Sequence, residues 1–128
     1  MSPHEYLGEL KASLIALSCI ASLAVVEERT LPDRGYFRAR MVLTNGDFLE
    51  VAEYFVFEEG DCRTKRYRYQ WMDSSRQRLK KRWDNVEHHP ELPDFPHRIH
   101  VGEDTNVEPG RALSIIALMD LIEEEINT

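Results

Sequence analysis

Tyr36-Phe37-Arg38-Ala39-Arg40-Met41-Val42-Leu43-Thr44-Asn45-Gly46-Asp47-Phe48-Leu49-Glu50-Val51-Ala52-Glu53-Tyr54 decides the fold. Apolar and polar residues alternate on both sides of Asn45-Gly46, and Asn-Gly between alternating runs is the strongest short-range hairpin signal. A two-residue Asn45-Gly46 loop predicts Leu43 opposite Phe48, Ala39 opposite Ala52 and Phe37 opposite Tyr54. On the other face Val42 meets Leu49, and Arg38 meets Glu53 as an opposite-charge pair.

Downstream, Glu58-Glu59-Gly60-Asp61 turns the chain, and a third strand runs from about Arg63 to Met72. It puts Tyr67, Tyr69 and Trp71 on one face and Arg66, Arg68 and Gln70 on the other. After the loop Asp73–Gln77, a fourth strand covers Arg78 to Asp84. A symmetric hairpin sets Trp71 against Leu79, Tyr67 against Trp83, and Arg68 against Arg82 beside Lys80. Arg98–Val101 is a short fifth strand. Pro109 opens a C-terminal helix carrying Leu113, Ile116, Met119, Leu121, Ile122 and Ile126.

Upstream, Ser2-Pro3-His4-Glu5 has the signature of a helix start. Leu7, Leu10, Leu14, Leu17 and Ala21 follow at helical spacing, so a helix ending near Glu28 is expected. The order predicts an α+β fold: an antiparallel four- to five-stranded sheet flanked by an N-terminal and a C-terminal helix, in one domain over 1–128. No apolar run reaches the ~20 residues of a membrane span, and Met1–Glu5 lacks a basic leader. Cys19 and Cys62 read as reduced thiols, so a cytoplasmic protein is expected.

The net charge of −7 conceals a segregation. Nine of the sixteen Lys/Arg fall between Arg63 and Arg82, where Asp73 is the single acid. That segment is locally strongly basic and the remainder strongly acidic. The bulk balance argues against nucleic acid; the concentrated patch argues for it, because phosphate responds to local potential.

Between the basic strands and the last helix lies Arg82-Trp83-Asp84-Asn85-Val86-Glu87-His88-His89-Pro90-Glu91-Leu92-Pro93-Asp94-Phe95-Pro96-His97-Arg98-Ile99-His100. Three prolines in seven residues exclude a regular helix, leaving a stiff loop that carries titratable side chains.

The segment Tyr36–Val101 resembles the TumE family, toxin components of bacterial and archaeal toxin–antitoxin modules. The resemblance rests on Tyr36-Phe37-Arg38-Ala39-Arg40, Thr44-Asn45-Gly46, Glu53–Glu58, Tyr67-Arg68-Tyr69-Gln70-Trp71, Arg82-Trp83-Asp84-Asn85 with His88-His89-Pro90-Glu91, and Phe95–His100. It implies a small toxin neutralised by a separately encoded antitoxin protein.

Residue roles follow from chemistry instead. Metal-independent RNA cleavage needs a base, an acid and cations around the reacting phosphate. Histidine suits the first two and arginine the third. His88 or His89 with His97 or His100 would form the acid–base pair, with Arg82 and Arg98 on the phosphate. Arg66, Arg68, Lys80 and Lys81 would bind the RNA backbone, free or ribosome-associated. Tyr67, Tyr69, Trp71 and Trp83 would stack bases, unless they are sheet-to-helix core, which their shared strand face favours. His-His-x7-His-x2-His matches no standard zinc pattern, so no metal or cofactor is expected, although Asp84, Glu87, Glu91 and Asp94 keep a divalent ion open. Growth inhibition without catalysis, and an interaction domain whose basic sheet binds an acidic partner, are the alternatives. The Leu-rich first helix is core or a homodimer contact.

Overall fold

A computed structural model describes residues 1–85, 97–102, 107–109 and 113–127. Helix α1 spans Pro3–Ala16. Strands β1 Ile20–Leu31, β2 Arg34–Leu43, β3 Phe48–Glu58, β4 Asp61–Met72, β5 Leu79–Asp84, β6 Arg98–Val101 and the three-residue β7 Val107–Pro109 follow, then α2 Ile115–Ile126. The strands pair in chain order as one antiparallel meander, with both helices packed on one face. Six successive strands, extended at the edge by β7, replace the four or five expected.

The start of α1 is as read: the Ser2 side chain accepts from the Glu5 N–H at 3.1 Å, and Pro3 occupies the first turn. The helix stops at Ala16, not near Glu28. Residues 20–31 form an edge strand instead, because Pro32-Asp33 is a two-residue turn that folds Leu31 onto Arg34 and pairs the segment with β2. The β-branched Val25, Val26 and Thr30 fit a strand better than a helix.

The Asn-Gly hairpin forms in a shifted register. Leu43 N–H donates to Asp47 O at 2.8 Å and Gly46 N–H to Leu43 O at 2.9 Å, so Thr44, Asn45 and Gly46 make a three-residue loop. Gly46, at φ +90°, takes the left-handed position that such a loop requires. Arg38 therefore pairs with Ala52, Ala39 with Val51 and Phe37 with Glu53. A one-residue slip moves every side chain of β3 to the other face. The expected Arg38–Glu53 pair is thereby replaced: Glu53 is buried beneath the helices, and Tyr54 turns to the uncovered face.

The β3–β4 turn uses Glu59 (φ +54°) and Gly60 (φ +83°), both left-handed as a tight two-residue turn demands. Between β4 and β5, Arg68 lies opposite Asp84, Tyr69 opposite Trp83 and Gln70 opposite Arg82. The expected like-charge Arg68–Arg82 pair does not occur: the loop takes in Arg78, and an irregularity near Trp71/Met72 leaves Lys80 as an extra residue, so the register moves by two.

The core forms between the helices and the covered face. Leu7, Leu10 and Leu14 of α1 and Ile115, Leu118, Met119 and Ile122 of α2 join Phe37, Met41, Leu49, Val51, Phe55, Tyr69 and Trp71 in one buried cluster. No helix among the described residues is long and apolar enough to cross a membrane.

Candidate functional site

The opposite face of the sheet carries no helix among the described residues. Register alone assembles its chemistry, since directly opposite residues in antiparallel strands share a face. One row reads Glu27, Arg38, Ala52, Arg68, Asp84, Arg98 across β1 to β6. The next reads Ala24, Arg40, Glu50, Gln70, Arg82, His100.

Where these rows cross β5 and β6, four charged or titratable side chains form a square. Asp84 accepts from Arg98 Nε at 3.0 Å through Oδ1, and from Arg82 Nε at 3.3 Å through Oδ2. His100 Nε2 stands 3.3 Å from the same Oδ2. It also lies 3.3 Å from Arg82 Nη2 and 3.3 Å from Arg98 Nε. With a proton on Nε2, His100 donates to Asp84; without one, Nε2 accepts from the arginines. The two arrangements differ by one proton at one atom.

Among the described residues two guanidinium groups share one carboxylate, so these four side chains by themselves sum to a positive charge in a largely buried place. Side-chain exposure is 3% for Asp84, 4% for Arg98, 5% for His100 and 14% for Arg82, so Arg82 is the member that reaches solvent. Arg98 Nη1 is buried and, among the described residues, has no hydrogen-bond partner. A buried guanidinium N–H without a partner calls for an acceptor. Asn85 anchors the end of β5: its Oδ1 accepts from Tyr67 N–H at 3.0 Å and its Nδ2 donates to Lys65 O at 2.8 Å.

The remaining sequence candidates separate by face. Arg66 and Arg68 lie on the uncovered side with the square. Tyr67, Tyr69, Trp71 and Trp83 are buried under the helices, with at most 5% exposure. Their burial fits the sheet-to-helix core alternative for these four residues. Lys80 bonds Asp47 Oδ2 at 2.5 Å and lies over the Trp71 ring; Lys81 pairs with Glu125 of α2. Both lysines are thus held on the helix side, away from Arg66 and Arg68. His97 and His100, offered as alternatives, also part company. His97 stacks on Tyr67, with Nδ1 2.9 Å from its hydroxyl, whereas His100 stands with the arginines. His88 and His89 lie outside the described residues.

Sequence reasoning missed Tyr36 and Tyr54. They sit directly opposite one another on the uncovered face, beside Arg66. The shifted register is what exposes Tyr54, and no residue pattern signals that shift. Among the described residues, no group of three or more His, Cys, Asp or Glu is placed to hold a metal ion. Partial desolvation and the nearby Glu53 carboxylate push the surface thiol of Cys62 up to about 11, and burial raises Cys19 as well, so neither is a ready thiolate at neutral pH.

The family model described as Toxin TumE matches residues 11–128. No curated protein and no solved structure gives a significant match.

Proposed function

The chain belongs to the TumE toxin family, and from that premise we propose that it inhibits growth by acting on RNA, under the control of a cognate antitoxin protein. The observation that carries this reading is the Asp84–Arg82–Arg98–His100 square. It combines net positive charge, an uncommitted buried guanidinium donor and an imidazole nitrogen that can hold or release a proton. They supply the cations and one of the two proton-transfer groups that phosphodiester cleavage by an adjacent 2′-hydroxyl needs. Arg82, the least buried member, meets the phosphate. Arg98 supplies charge behind it, and His100 exchanges the proton, held in place by Asp84.

A second reading, arrest by RNA binding without cleavage, is favoured by the burial of His100. One experiment separates the two. Wild type, His100→Gln and Arg82→Ala are expressed without antitoxin, and total RNA is mapped for new ends. Cleavage predicts arrest with new ends in the wild type and loss of both in the variants, by a factor of about 100 or more for the proton-transfer residue. Arrest with intact RNA in wild type and His100→Gln alike removes catalysis and leaves binding.

A further inference from the structure

The uncovered face holds a second feature beside the square. A groove of about 420 Å³ runs over β2, β3 and β4, lined by Tyr36, Arg38, Ala52, Tyr54, Arg66 and Arg68 among others. Its shape follows from the register. Ala52 sits between Arg38 and Arg68 in one row, and a methyl group between two long side chains leaves a trough. The neighbouring row places Tyr36, Tyr54 and Arg66 side by side, so one end of the trough is walled by an aromatic pair.

The electrostatics select the ligand's sign. Three guanidinium groups line the groove against one carboxylate, Glu50, which is already bridged to Arg38 at 3.1 Å and to Arg40 at 2.9 Å. Arg68 Nη2 donates to Gln70 Oε1 at 3.0 Å, a neutral partner, and Arg68 makes no ion pair among the described residues. Arg66 has no ion pair among the described residues. The same row carries Arg68 on β4, then Asp84 on β5 and Arg98 on β6. The β4 edge of the groove, Arg68 and Gln70, therefore stands one strand spacing, roughly 5 Å, from Asp84 and Arg82 of the square.

We propose that this groove holds single-stranded RNA, with an unpaired base against Tyr36 and Tyr54 and the adjoining phosphates on Arg66 and Arg68. The proposal rests on the RNA reading and names the form of RNA taken. Aromatic rings beside arginines suit unpaired bases, whose faces are free; a duplex hides those faces within its stack. An acidic peptide would satisfy the arginines and leave the tyrosine pair unused.

Fluorescence anisotropy of the purified protein tests it. The probes are a labelled 2′-O-methyl oligouridylate of about ten nucleotides, which lacks the attacking hydroxyl and survives the assay, a duplex of the same length, and oligoglutamate. The single strand is expected to bind best. Tyr36→Ala/Tyr54→Ala should weaken it about tenfold or more. Arg66→Ala/Arg68→Ala should also weaken it and lower the slope of log affinity against log salt by about 1.4. Tight RNA binding untouched by both double variants, or equal affinity for the duplex, overturns the groove while the RNA reading stands. Wild type that ignores every RNA and captures oligoglutamate overturns the RNA reading itself.

Discussion

The buried carboxylates Asp84 and Glu53 lie on opposite faces of the sheet, and their partners assign them different work. Asp84 is met by cations. Glu53 is met by neutral donors: Tyr6 Oη at 2.6 Å, Thr64 Oγ1 at 3.0 Å and the Ile115 N–H at the start of α2 at 3.3 Å. It ties α1, β4 and α2 to the centre of β3, which is a fold-holding role. Burial raises its pKa above the ordinary carboxylate value, and hydrogen bonds from Tyr6, Thr64, Ile115 and Tyr69 oppose that shift only in part. The folded state therefore keeps this proton to a higher pH than the unfolded chain does. The associated stability is fully present below the unfolded value of about 4.3 and is lost as pH rises through the raised folded value. Glu53→Gln cannot ionise, so its melting temperature relative to wild type should move upward as pH rises from about 4 to neutrality. Parallel melting curves at every pH would show that Glu53 ionises in the fold as easily as in water.

At the scale of elements, the hairpins decide what each face carries, and their loops were only partly legible. Alternation located β2, β3, β4 and β5, and the turn residues marked the ends of three of them. The Asn45-Gly46 signal located the hairpin but not its loop length, because a three-residue loop with a left-handed glycine uses the same dipeptide. That one residue hid Glu53 in the core and Tyr54 in the groove from any sequence argument. Strand β1 was illegible for another reason. As an edge strand it buries little, and Ile20 and Leu23 continue the helical spacing of α1. The arginine face of β4 was read correctly, since strand alternation needs no register. Arg82, Arg98 and His100 were named from their chemistry, but their meeting at Asp84 was not, because it exists only through pairing with β6.

Gly35 shows how tightly the first three strands are joined. It pairs with Thr30 on β1 and Phe55 on β3, and a Cβ there would stand 2.5 Å from Phe55 Cζ and 2.9 Å from Arg29 O. The ring can turn; the carbonyl belongs to the ladder and cannot move alone. Gly35→Ala should cost about 1–3 kcal/mol, read as a lower urea midpoint at unchanged m-value. Phe55→Leu in the same chain should recover only part of it, because the carbonyl contact remains. An unchanged midpoint in Gly35→Ala would mean that β1 is not held to β2 as the register has it.

For the molecule as a whole, the sheet divides a basic segment that looks continuous in sequence into two populations with different consequences. Lys80 and Lys81 are adjacent to Arg82, yet they serve Asp47 and Glu125 on the helix side. Arg66 and Arg68 line the groove on the uncovered side. Charge reversal separates the two populations. Lys80→Glu/Lys81→Glu sets a carboxylate against Asp47, whose side chain is only 7% exposed, and another against Glu125. It should lower thermal stability by several degrees, since a mostly buried acid loses its cation. Arg66→Glu/Arg68→Glu removes no such partner, so its melting temperature should stay within about two degrees of wild type. In growth assays without antitoxin the order should reverse at a temperature where both variants are folded. The arginine variant should be harmless, and the lysine variant should still arrest cells. Equal loss of toxicity from two folded variants would mean that local positive charge matters irrespective of face, and that the division by the sheet has no part in the toxin's action.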